Sequence, residues 1–297
     1  MKNHTFYIVD VFAEKKYAGN QLAVVRNASD IPDETMQDIA REMHFSETTF
    51  ILSDEEKDGG FDVRIFTPEA QLPFAGHPTL GTAYVIQQEI LQKNISCLAL
   101  NLGVGQIPVT FEYQEDAVDI LWMKQKAPEF GKSYKREEIA GMIGLESSLI
   151  DERYPIQEVS TGFFSLIVPL KSLEAVKRTR IKRDLYYPFV KSGGAAGILV
   201  FAPETYDKNN QLNVRFFADF LGVSEDPATG SANGCLAAYL VKNRYFGEPK
   251  VDIRVEQGIE INRPSLLYLS AENKGEVIDV FVGGRVIPVA EGRLIDD

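Results

Sequence analysis

The chain has 297 residues, 44% hydrophobic and 25% charged, the proportions of a globular protein of about two domains. Its formal net charge of −12 argues against a nucleic-acid partner, because phosphate binding needs a basic face. No apolar run approaches the roughly 18 residues that span a bilayer, and the two cysteines, Cys97 and Cys235, are too few for a disulfide framework and lack metal-ligand spacing.

The start, Met1-Lys2-Asn3-His4-Thr5-Phe6, runs into a strand-like segment without a signal-peptide core. A reduced, cytoplasmic, metal-free protein is expected. A first strand is predicted over 6–12 and, after a turn over 15–19, a second over 21–25. Asp30 and Pro32 open a helix whose apolar positions Met36, Ile39, Ala40 and Met43 fall at helical spacing. Glu47 precedes a strand over 48–52, and another strand follows over 61–66. The helix near 77–90 is apolar on most faces, the mark of a buried helix. Strands are predicted over 95–100, 105–113 and 117–122. The polar stretch 124–131, with Pro128, marks a domain boundary. A helical segment follows over 135–143. Next comes a strand over 164–168, after a Ser160-Thr161-Gly162 turn that weakly echoes Tyr17-Ala18-Gly19-Asn20. The basic run 177–183 reads as a solvated face. Strands over 196–201 and 212–217 lead to a second buried helix over about 229–243, and the tail is β-rich, with turns at Gly258 and at Gly283-Gly284.

Two segments about 150 residues apart begin and end alike. One reads Asp62-Val63-Arg64-Ile65-Phe66, then Phe74-Ala75-Gly76-His77-Pro78-Thr79, then Ala83-Tyr84-Val85-Ile86. The other reads Asn213-Val214-Arg215-Phe216-Phe217, then Glu225-Asp226-Pro227-Ala228-Thr229-Gly230-Ser231, then Ala238-Tyr239-Leu240-Val241. Each is a strand, a Gly/Pro turn and an apolar helix, which predicts two similar domains. Many short strands with one long buried helix per half predict an α+β fold in which a curved sheet wraps its helix. Helices do not alternate with strands, which disfavours a doubly wound sheet. The expected boundaries are 1–124 and 125–284; the sequence leaves open whether a strand at about 285–297 completes the first domain. Each helix starts with small residues, so its first N–H groups can approach an anion. Two such ends facing one another would suit a small carboxylate.

His77, one of three histidines, sits at the first helix start and reads either as a capping or packing residue or as a ligand contact. Asp226 before Pro227 and Ser231 in the first turn allow the same two readings. Glu47 at a strand start reads as a solvated carboxylate or, beside Phe45 and Phe50, as a desolvated one with a raised pKa fit for general acid/base work. Glu69 and Glu225 read as surface residues, and Cys235 as core. No Ser-His-Asp order, Walker loop or post-strand G-x-G-x-x-G appears.

Those segments, together with Ala18-Gly19-Asn20-Gln21-Leu22-Ala23-Val24, Ser46-Glu47-Thr48-Thr49-Phe50 and Phe66-Thr67-Pro68, resemble the phenazine-biosynthesis PhzF-like isomerases of the diaminopimelate epimerase-like superfamily. The resemblance covers essentially the whole length. It implies two pseudo-symmetric domains, each a barrel-like sheet around a central helix, with the active site in the cleft between them, and homodimers. It implies Glu47 as the proton-shuttling glutamate, His77, Asp226 and Ser231 as substrate-orienting and proton-moving groups, Gly76 and Gly230 as carboxylate-binding helix starts, and Asn20 as a substrate-side residue. Related racemases carry a cysteine at each helix start; here Ala75 and approximately Pro227 stand there. The expectation is a cofactor-independent isomerase of a small carboxylate, with trans-2,3-dihydro-3-hydroxyanthranilate as the implied substrate. The alternatives are a thiol-independent amino-acid epimerase and a non-catalytic carboxylate-binding protein.

Overall fold

The computed structural model describes residues 4–295. The leaderless start expected at residues 1–3 and the last two positions of the 285–297 strand lie outside the described residues. The chain separates into two compact units: one runs up to Met123 and resumes at Gly283, the other is Lys124–Val282.

In the first unit, β1 (Thr5–Val11) pairs antiparallel with both β2 (Asn20–Val25) and β18 (Val286–Arg293). Then α1 (Asp33–Met43) carries the chain over to β3 (Glu47–Ile51), parallel to β2. This helix has acidic residues Asp33 and Glu34 in its first turn and Arg41 in its last, which suits its dipole, and it stops at His44 in a left-handed conformation. β4 (Phe61–Phe66) is antiparallel to β3 and to the short β5 (Gln71–Leu72), and parallel to β6 (Cys97–Leu102). β7 (Gly105–Gln114) and β8 (Ala117–Lys124) complete a meander. The crossover from β4 to β6 contains α2 (Gly76–Val85), which runs into a π-helical turn over Ile86–Leu91. All of α2 but Gly76 and Tyr84 is buried, and it touches β1, β2, β3, β6, β7 and β18, so the sheet curls around it. Leu80 has no exposed surface; Leu80→Ala should cost about 2–5 kcal/mol.

The second unit repeats the plan. β9 (Glu129–Tyr134), β10 (Ile156–Ser160) and β11 (Phe164–Pro169) are antiparallel neighbours, after α3 (Arg136–Met142) bridges β9 to β10. β12 (Gly197–Ala202) lies parallel to β11, across α4 (Leu173–Arg178) and α5 (Arg183–Lys191). β13 (Leu212–Ala218) is antiparallel to β12 and β14 (Val223–Asp226), and parallel to β15 (Lys250–Gln257). β15 pairs with β16 (Ser265–Asn273), and β17 (Ile278–Gly284) follows. The β13–β15 crossover contains α6 (Gly230–Lys242), buried except at Ser231 and Lys242 and packed against β10, β11, β12, β15 and β16. Side-chain detail repeats too: Arg64 lies over Phe66 at 5.2 Å and Arg215 over Phe217 at 4.8 Å.

The basic run read as a solvated face joins two helices. Ser172 caps α4, Val176 and Tyr186 belong to one core cluster with Ile198 and Val200, and Arg178, Arg180, Lys182 and Arg183 are exposed. Glu225 is not a surface residue. Its carboxylate takes two hydrogen bonds from Arg215, at 2.8 and 2.7 Å, and its side chain is 11% exposed. The same guanidinium donates to the Val176 and Thr179 carbonyls, tying the end of α4 to β13.

Candidate active site

Glu47 is the first residue of β3. Side chains alternate along a strand, so Glu47 shares a face with Thr49, whose hydroxyl meets that of Thr82 on α2 at 2.8 Å. Phe50 points the other way, into a cluster with Met36, Ala40 and Phe66. The surroundings of Glu47 are therefore the start of α2 rather than Phe50. His77, second residue of that helix, is 6% exposed. Its Nε2 stands 3.4 Å from Glu47 Oε2, longer than a good hydrogen bond but short enough to tighten when substrate binds.

Burial drives the His77 pKa down from 6.5 to about 3, with only a hydrogen bond to the Gln21 backbone pulling it back. His77 is thus neutral at pH 7. Nε2 makes no hydrogen bond of its own, so the Gln21 carbonyl receives Nδ1–H, and the Nε2 lone pair faces the glutamate. A proton on the Glu47 carboxyl would find an acceptor there. Asn20, 2% exposed, opens β2 beside Gln21.

No side chain caps α2 at Ala75, and Pro78 in the first turn has no N–H. The N–H groups of Gly76 and His77 open the helix, where partial positive charge collects. In the second unit, α6 opens at Gly230 and Ser231, again without a side-chain cap from Thr229. Asp226 does not open this helix. It ends β14, and its carboxylate accepts a hydrogen bond from the Thr229 hydroxyl. The Ser231 carbonyl accepts from the Thr161 hydroxyl at 3.3 Å, so the turn that echoed Tyr17-Ala18-Gly19-Asn20 seats the second helix.

The cysteines stand away from both helix starts. Cys235 lies inside α6, fully buried, and burial raises its thiol pKa to about 11. Cys97 is exposed on β6. Sequence reasoning gave no role to Gln21 and Thr229, although both stand inside the quoted motifs, and none to Gln257, which lies outside them; Gln21 acts through its backbone. Among the described residues, no group of three or more His, Cys, Asp and Glu side chains is placed to hold a metal ion. Among them, too, no helix is long and apolar enough to cross a membrane.

Known proteins agree with this architecture. Residues 9–292 match the PhzC-PhzF family, described as phenazine biosynthesis-like protein. The chain is 34% identical to a trans-2,3-dihydro-3-hydroxyanthranilate isomerase of Pseudomonas aeruginosa, over 98% of this chain and 99% of that protein. It superposes on a crystal structure of a PhzF-family phenazine biosynthesis protein from Bacillus anthracis with a TM-score of 0.90 at 29% identity, covering 100% of both chains. A hydroxyproline epimerase from Agrobacterium vitis, 11% identical, has the same fold at a TM-score of 0.62, with 99% of this chain and 91% of that one covered. The protein has the diaminopimelate epimerase-like fold and is an isomerase; it belongs to the PhzC-PhzF family of phenazine biosynthesis-like proteins.

Proposed function

We propose that the protein moves a proton between carbons of a small carboxylate-bearing molecule, without a cofactor, and that Glu47 is its general acid/base. The observation that carries this reading is the Glu47–His77 pair, a carboxyl group against a buried, neutral imidazole at a helix start. The Glu47 carboxylate takes a proton from one carbon, and the electron pair left behind delocalises into the adjoining π system. The same carboxyl returns a proton to a second carbon, which moves the double bond. His77 Nε2 accepts a hydrogen bond from the transiently protonated carboxyl, keeping it aimed at substrate. The backbone at Gly76, and at Gly230 in the second repeat, is the candidate grip for the substrate carboxylate. Asp226 and Ser231 orient the substrate, and Asn20 contributes a polar contact. The isomerase relative points to trans-2,3-dihydro-3-hydroxyanthranilate or a close analogue as substrate. A cytoplasmic homodimer completes this reading.

Incubation in D₂O with that compound and a panel of cyclic and linear amino and hydroxy carboxylates tests it. Deuterium at a new carbon with a shifted double bond is expected. Exchange at a stereocentre with no such shift would make the protein an epimerase. Binding without any exchange would make it a carboxylate-binding protein.

A further inference from the structure

The two units share one clasp, built from different materials. Just past β6, Gly103 packs closely on Pro73, where a Cβ would lie 3.0 Å from Pro73 Cα. Just past β15, a Cβ on Gly258 would lie 2.5 Å from the Pro227 carbonyl oxygen, and its φ of +75° also calls for glycine. Three residues beyond each proline a helix begins, α2 at Gly76 and α6 at Gly230. In the chain, Leu72 and Ala75 flank the first proline and Leu102 precedes its glycine; Asp226, Thr229 and Gln257 take the same places in the second unit. In both units a side chain of the helix donates to the carbonyl before its first residue, Thr79 to Ala75 at 2.7 Å and Asn233 to Thr229 at 3.0 Å; the second start adds the polar side chains of Asp226, Thr229 and Gln257.

Gln257 has no exposed surface. Its Nε2 donates to the Asp226 carbonyl at 2.9 Å and to the Thr229 hydroxyl at 3.1 Å. Its Oε1 accepts from the Thr229 N–H at 3.2 Å and from Asn233 Nδ2 at 2.8 Å. The backbone fixes this orientation. A flipped amide would set oxygen against the Asp226 carbonyl and NH₂ against the Thr229 N–H. Because it accepts from the Gln257 NH₂, the Thr229 hydroxyl has its single proton free to donate, and it donates it to Asp226 Oδ2.

We propose that Gln257 is a positioning residue whose carboxamide sets the direction of the Thr229 hydroxyl and thereby holds the Asp226 carboxylate in one orientation. The functional weight of this arrangement rests on the reading above that Asp226 orients the substrate. Two readouts on full-length Gln257→Met test it. The first is the Asp226 carboxyl ¹³C resonance, assigned by its loss in Asp226→Asn and followed from about pH 3 to pH 8. Its midpoint should move up by about half a unit or more, because a hydrogen bond to the ionised form is no longer fixed; an unmoved midpoint overturns the proposal. If the methionine variant does not fold, Gln257→Asn, which draws the carboxamide back by one methylene, takes its place with the same expected shift and the same overturning result. The second readout is turnover of the substrate identified in D₂O. A fall in kcat of about tenfold at little-changed KM is expected, with less than about a twofold further fall when Gln257→Met is added to Asp226→Asn. Full additivity overturns the proposal. Gln257→Glu adds a signature that packing alone would not produce. Its carboxylate would oppose the Asp226 carbonyl, so kcat should fall as pH rises through the titration of the new glutamate. If Asp226→Asn itself turns over like the parent, the catalytic reading of Asp226 falls, and the resonance still decides the role of Gln257.

Discussion

The two halves share a backbone plan and differ at the positions that bear chemistry. Glu47 stands opposite Leu22 on the parallel neighbour of β3, and Gly197 stands opposite Ser165 on that of β12. The following residues, Thr48 and Ile198, face Phe66 and Phe217, the ends of the repeated strand motif. Gly197 thus holds the place of Glu47. A Cβ on Gly197 would come within 2.8 Å of Phe216 and 3.0 Å of Phe163, so aromatic rings fill the space that the acid uses in the first half. Elsewhere the halves exchange groups without loss. Asn101 donates to Asp62 at 2.9 Å, and Asn213 donates to Glu256 at 3.2 Å, with acid and amide on opposite strands in the two cases. The repeat preserves interactions that hold strands together and lets the rest diverge. That divergence puts the proposed base in one half and the Asp226–Thr229–Gln257 network in the other.

The most severe way to break this comparison is Glu47→Gln, which keeps the shape and removes the proton acceptor. Turnover should fall about 10³–10⁴-fold while substrate affinity, read by calorimetry, stays nearly constant. A variant retaining more than about a tenth of the parent rate would move the base elsewhere, with Asp226 and His77 next in line. Asp226→Asn should be milder, about 10- to 100-fold in kcat, since it disturbs orientation rather than proton transfer. A fall equal to that of Glu47→Gln would erase the division between the halves.

His77 gives a stability test. Its folded pKa of about 3 lies below the 6.5 of an exposed histidine. As pH falls below 6.5, the unfolded chain takes up a proton that the folded one refuses. This contribution is intact above pH 6.5 and is lost toward pH 3, at about 1.4 kcal/mol per unit. Denaturant titrations of His77→Gln across that window should show a slope shallower by about that amount; parallel curves would mean the imidazole is not neutral in the fold. Smallest of all should be the effect of Cys97→Ala with Cys235→Ala on activity. Turnover should stay within about twofold, with a stability cost of about 1–3 kcal/mol, nearly all of it from Cys235. Lost turnover in the folded double variant would return the thiols to the chemistry.

What the sequence made legible was whatever repeats or follows a period. The paired strand–turn–helix segments placed α2 and α6, and their apolar surfaces announced burial. Glu47 and His77 stood out because each adjoins such an element. Glu225 was misread because its partner, Arg215, is ten residues away on a neighbouring strand, and a pairing across strands leaves no local pattern. The environment of Glu47 was misread because adjacency to Phe50 along a strand means opposite faces, not contact. α4 and α5 were hidden by their charge, since Val176 and Tyr186 supply few apolar marks among the basic residues. Gln257 was beyond reach for a simpler reason: its four hydrogen bonds go to residues 24 to 31 positions earlier in the chain.

The pairing of Thr5 with Arg293 bears on how the protein comes into being. The second unit is one uninterrupted stretch, Lys124–Val282, whereas β1 has β2 on one flank and, on the other, a strand that follows the whole second unit. Nascent domains generally close in order of synthesis, N-terminal first. Here that order is interrupted: every residue of the second unit precedes the strand that covers the open edge of β1. The open row of N–H and C=O groups is a template for any other strand, and it persists until β18 emerges. Arrival of β18, not of β1, sets the moment at which the half carrying Glu47 closes.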